Sequence, residues 1–224
     1  MSFQDRSLRL AAVFAVGLGL ASAAFAGPPL ICHPFTTGAA APLLPWAEGN
    51  DHWHKPDPGY DRAHLVADTL RLLSADAAIL DRMENMRRAT IYAEEDPSMA
   101  AELLRAVVER TKTKPASARA EALEWFDAGY LVETYRQLGL IYEHEMLPGH
   151  GRWTSLVPVE LTELDGYALV QKAAALAPEF EAELDFASAL LSREPLTAAH
   201  LRQAASRAAQ GSLLAQNLAH YDVP

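Results

Sequence analysis

The chain has 224 residues, half of them hydrophobic, with 29 acidic against 19 basic side chains and a formal charge of −10. Such an acidic surface repels phosphate backbones and anionic lipid headgroups, which argues against a nucleic-acid partner. A single cysteine closes no internal disulfide, so a hydrophobic core must hold the fold, and a chain of this length can bury one.

The first stretch, MSFQDRSLRLAAVFAVGLGLASAAFA, carries a positive head (Arg6, Arg9) and an apolar run from Leu10 to Leu20. It ends in Ala24-Phe25-Ala26, a small-x-small site. These are the parts of a secretory signal in their usual order, with cleavage after Ala26. The run is too short to span a bilayer comfortably, which takes about 20 residues. The residues before Cys32 (Pro28, Pro29, Leu30, Ile31) do not suit lipid transfer to that cysteine. The reading is an exported protein, periplasmic or secreted, with no stable membrane anchor once residues 1–26 are removed. The signal carries a net +1 from Arg6, Arg9 and Asp5, so its loss takes the charge from −10 to −11.

Residues 27–60 hold half of the chain's 14 prolines together with Leu30, Ile31, Phe35, Leu43, Leu44 and Trp46. Proline removes a backbone donor and fixes φ, which excludes a regular helix, while the apolar content is too high for a solvated linker. The segment reads as an extended arm whose apolar side chains lie against a helical body of residues 61–224.

From Asp61 the period turns helical. Asp61 caps a first helix with the stripe Leu65, Val66, Thr69, Leu70 and Leu73; Ser74 caps a second with Ile79, Met83, Met86 and Thr90. Asp96-Pro97 starts a third, by a capping carboxylate followed by proline at the first helical position. A long fourth helix runs from Ser117 to His144, a fifth from near Pro158, a sixth from Pro178 and a last from Thr197 to Tyr221. Asp165-Gly166 is a potential break in the fifth. No alternating β-branched run appears. The expectation is an all-α protein of about seven helices, paired as antiparallel hairpins in a bundle or a short solenoid. In the fourth helix Trp125-Phe126-Asp127-Ala128-Gly129-Tyr130 resembles the first helix of a tetratricopeptide unit, but the helix starts show no fixed period. The small pair Ala128-Gly129 is expected to admit a close helix crossing, with Trp125 and Tyr130 around it.

Chemistry-bearing residues are few. The arm holds Cys32, His33, His52 and His54, with Asp51, Asp57 and Asp61 nearby. On extended chain His52 and His54 point to one side, and with a thiolate they would suit zinc or copper. Their spacings match no metal signature, and the apolar neighbours of Cys32 suit a thiol packed as a small hydrophobe. His144-Glu145 opens like a zinc-protease motif, but Pro148 stands where the second histidine belongs. No nucleophile elbow, phosphate loop or haem-attachment motif is present. Paired acids such as Glu94-Glu95 read as solvated. The aromatics Trp125, Tyr130 and Tyr135 leave room for a haem or small-ligand bundle on fold class alone.

The stretch GPPLICHPF resembles the mature start of a group of uncharacterised exported all-helical proteins of bacteria. The resemblance implies export and an α fold, and no mechanism. The functional expectation is a non-enzymatic binding or scaffold module with a protein partner in the cell envelope, the alternative being a zinc- or copper-binding protein.

Overall fold

In the computed structural model the described residues are 29–47, 54–144, 156–193, 195–221 and 223, with main chain only at 29 and 140–144. The expected signal segment 1–26, His52, Glu145 and the LPGHGRW loop lie outside them. The fold is all-α. Nine α-helices run through the described residues: α1 (Pro29–Cys32), α2 (Leu65–Leu72), α3 (Ile79–Ala93), α4 (Pro97–Arg110), α5 (Ala118–His144), α6 (Gly166–Leu176), α7 (Glu181–Leu191), α8 (Leu196–Arg207) and α9 (Leu213–Leu218). The extended contact among these residues is a single antiparallel bridge between Trp46 and Pro56. None of their helices is long and apolar enough to cross a membrane.

The caps explain the boundaries. Asp61 accepts from the Ala63 amide and opens a 3-10 turn that runs into α2. Asp96 accepts from Ser98 and Met99, with Pro97 at the first position of α4, as its sequence dictates. Three expected helices start or end elsewhere. Asp165 does not interrupt the fifth helix but begins it: its carboxylate accepts from the Ala168 amide, and the stretch before it makes only a 3-10 turn, Val159–Leu161. The last helix divides at Gly211, whose φ of +74° favours glycine, and Ser212 caps α9. Ser74 does not cap α3, which starts after Ala78; the Ser74 carbonyl instead accepts from the Arg82 guanidinium.

Two packing features set the architecture. α5 and α6 cross at glycine on both sides. A Cβ added to Gly129 would lie 2.5 Å from the Gly166 carbonyl oxygen, and one added to Gly166 would lie 2.5 Å from that of Gly129. The small residues expected to admit a close crossing do so, and Gly166 is the partner. The second feature is α3, which touches α1, α2, α4, α5 and α7. Thirteen of its 15 residues are buried, Arg82, Glu84, Asn85 and Arg87 among them.

The arm lies on the helical body. Leu30, Ile31, Phe35 and Leu44 are buried in the common core, and Trp46 packs against it. Its start corrects the extended expectation: Pro29–Cys32 is one helical turn, with proline where helical φ is already met. The turn buries Leu30 and Ile31 and leaves Cys32 half-buried, so the thiol is less enclosed than its apolar neighbours suggested.

Candidate functional site

The densest polar constellation is the groove in which the arm lies. Its floor is α3, whose face away from the stripe Ile79, Met83, Met86 and Thr90 carries Asp81, Glu84, Asn85, Arg87 and Arg88. These side chains bond the arm's main chain. Gly38 N–H donates to Asp81 Oδ1 at 3.2 Å and Phe35 N–H to Glu84 Oε2 at 3.1 Å. Asn85 accepts from Leu44 N–H at 2.9 Å and donates to the Pro42 carbonyl at 3.1 Å. Arg87 donates to the Ile31 carbonyl and Arg88 to that of Leu44. From α9, Asn217 accepts from Thr36 N–H and donates to the Thr36 carbonyl, both at 2.9 Å. Gln137 of α5 accepts from Leu30 N–H. Asn85 and Asn217 thus each satisfy both kinds of main-chain group, as a neighbouring strand would.

Charge stabilises the floor. Burial pushes the Glu84 carboxyl up, but hydrogen bonds and charge from Arg87 and Arg88 more than offset it, leaving the group below the usual glutamate range. Arg87 donates to both Glu84 oxygens at 2.8 Å, a bidentate fork, and Arg88 donates to Oε1 at 2.7 Å. Both guanidiniums also lie over Trp46, 5.0 and 5.4 Å from its ring centre. At the far end Tyr92 donates to the Pro45 carbonyl at 2.7 Å and accepts from Asp57 N–H at 2.9 Å. His54 meets Glu94 at 2.7 Å, and that hydrogen bond raises the imidazole above the usual histidine value.

Two further clusters are structural in form. Asp127 of α5 is fully buried between Arg82 at 2.6 Å and Arg110 at 3.2 Å. Burial pushes its carboxyl up while the two guanidiniums pull it back. Both arginines also donate to the Leu73 carbonyl beyond α2, so the triad ties α2, α3, α4 and α5. On α6–α8, His200 joins Tyr167 at 2.8 Å and Asp185 at 3.1 Å, and Arg207 donates to Asp185 and Glu181. With Nδ1–H given to Asp185, the His200 Nε2 accepts from the Tyr167 hydroxyl. Burial raises Tyr167 above the ordinary tyrosine value, which opposes phenolate formation.

The residues singled out from sequence are scattered. Cys32 ends α1, and the His33 ring lies 6.3 Å from that of Tyr221. His54 is turned to Glu94 at the opposite end of the arm, and His52 is outside the described residues. Among the described residues no group of three or more His, Cys, Asp or Glu is placed to hold a metal ion, so Cys32, His33 and His54 form no such group. Tyr135 donates to the Ala100 carbonyl in the core, and Trp125 is half-buried with the Lys172 ammonium 3.3 Å from its ring centre. The groove itself was missed. Six polar residues among the eight at 81–88 were its signal, more than a half-exposed helix needs next to a proline-rich apolar segment in search of a surface. Comparison with known proteins finds no matching family model, no matching curated protein and no matching solved structure.

Proposed function

We propose that this chain is an exported, non-enzymatic binding module that holds an extended segment of a partner protein in the cell envelope. The observation that supports the reading is the α3 groove, where Asp81, Glu84, Asn85, Arg87, Arg88 and Asn217 all bond main-chain groups of the segment lying in it. Main-chain bonds do not depend on side-chain identity, so they supply affinity for any extended segment, and the pockets filled by Leu30, Ile31, Phe35 and Leu44 supply selection. The signal-like residues 1–26 support delivery to the periplasm or outside the cell. A partner segment would displace the arm from the groove.

Co-purification of the full chain from envelope extracts tests this. A stoichiometric partner is expected. Its yield should rise with Phe35→Asp, which loosens the arm, and fall with Asn85→Ala, which removes both main-chain bonds of that side chain. A monomer that retains nothing in all three forms contradicts the reading. N-terminal sequencing of the envelope fraction should begin at Gly27; a start at Met1 contradicts the export half of it.

A further inference from the structure

We propose that Tyr60 and Tyr92 form a modification site, a pair of phenols that a peroxide-driven one-electron oxidant joins by a carbon–carbon bond into dityrosine. Their ring centres lie 4.8 Å apart with the planes tilted by 52°, so the two rings touch. Tyr60 closes the arm and Tyr92 is the penultimate residue of α3, so the bond would fasten the arm's end to the helix that forms the groove floor.

The surroundings hold both rings. Tyr92 is 1% exposed, donates to the Pro45 carbonyl at 2.7 Å and accepts from Asp57 N–H at 2.9 Å. The Trp46 ring meets it edge-on at 5.8 Å. Tyr60 is half-buried and donates to Asp68 Oδ2 at 2.9 Å, while Arg71 donates to Asp68 Oδ1 at 3.0 Å. Tyr92 is therefore closed to rings of other molecules, and Tyr60 is reachable by an oxidant. Held in contact, the two rings couple in a step that needs no encounter.

Asp68 supplies what the oxidation needs. A neutral phenol loses an electron readily as its proton leaves, and the Asp68 carboxylate is placed to take that proton from Tyr60. Burial and the same hydrogen bond hold the Tyr60 phenol above its ordinary value, so it meets the oxidant with its proton on. The second electron and phenol proton leave from Tyr92. The unpaired spin of each phenoxyl lies partly on the ring carbons ortho to oxygen, and two of these carbons bond. Each ortho hydrogen then moves to its own ring's oxygen and restores the phenol. The pair has lost two electrons and two protons, which one peroxide molecule takes up to become two of water. The new bond closes the loop between residues 60 and 92, so the linked chain should unfold at higher urea than the unlinked one.

The inference needs neither an envelope partner nor displacement of the arm, so it stands or falls apart from the binding proposal. The full chain, dilute, is treated with hydrogen peroxide and a haem peroxidase and read by dityrosine fluorescence and peptide mass mapping. A monomer two hydrogens lighter is expected, with the Tyr60 and Tyr92 peptides joined in a yield independent of protein concentration. Tyr60→Phe should abolish the link and Tyr167→Phe should leave it, with helical content measured in both to separate loss of the link from loss of the fold. Asp68→Asn should slow linking by about tenfold or more, and Asp68→Glu should restore it. Peroxide spent with both peptides still separate overturns the inference. So does dityrosine confined to covalent dimers, or a link mapped to other residues, Trp46 with Tyr92 included. An unchanged rate in Asp68→Asn overturns the role given to Asp68.

Discussion

Helices α3 and α4 are consecutive, of nearly equal length, and each shows an apolar stripe in sequence, yet α3 buries 13 residues and α4 five. Much of the difference is the arm, which adds to the helices α2, α4, α5 and α7 that also pack on α3. α4 keeps one face on the core and one in water, as an amphipathic helix does. α3 has its second face covered by residues 29–47, so charges that would otherwise be solvated lie inside. They remain affordable because the arm's main chain, which needs hydrogen-bond partners once buried, receives them from those same side chains.

One pair on each helix isolates the effect. Glu84–Arg87 on α3 and Glu109–Lys112 at the C-terminal end of α4, with Lys112 just past it, are both i,i+3 ion pairs at 2.8 Å, but side-chain exposure is 1% on each partner in the first and 64–65% in the second. Glu84→Ala strands Arg87 in the interior and frees the Phe35 amide, and should cost about 3–5 kcal/mol in urea unfolding. Loss of Asn85 is the next largest change: Asn85→Ala leaves the Leu44 amide and Pro42 carbonyl unmatched, at about 1–3 kcal/mol by the same assay. The glycine crossing of α5 and α6 probes burial by size in place of charge. Gly129→Ala, whose Cβ would meet backbone, should destabilise by about 1–3 kcal/mol. The same change at Gly139, which meets nothing within 4 Å, should stabilise by about 0.5–1 kcal/mol, read from thermal melts.

Acidity separates the two ends of the arm. Glu84 sits below its ordinary value in the fold, so its contribution is present above that ordinary value and is lost as pH falls through the depressed one. His54 sits above its ordinary value, so its contribution is complete below about pH 6.5 and disappears as pH rises through the elevated one. The groove should therefore loosen as pH falls below the ordinary glutamate range and the 54–60 end as pH rises above the ordinary histidine value, followed by Trp46 fluorescence in a chain whose other tryptophans are replaced. The smallest effect closes the series: Glu109→Ala on α4 should change stability by no more than about 0.5 kcal/mol.

Much of the fold was legible because caps and stripes are local. Asp61, Asp96-Pro97 and Ser117 mark helix starts without reference to the rest of the chain. The fate of Asp165 was ambiguous, since the same carboxylate breaks a helix behind it and opens one ahead. The apolar residues of the arm announced that it would dock. The place where it docks was not legible: it depends on contacts such as Thr36 with Asn217, 181 residues apart. Nothing in the sequence of α3 itself says that a distant segment will cover its charges. Histidines near a cysteine suggested a metal, but proximity in sequence did not carry over for His54, whose ring is taken up by Glu94.

The most direct test is amide exchange at Phe35, Thr36 and Leu44, the arm groups that donate to Glu84, Asn217 and Asn85. If the arm is what buries the polar face of α3, these amides exchange as slowly as the core of α3 itself, and Glu84→Ala releases them. Exchange at the rate of an open chain while α3 remains protected would contradict that claim.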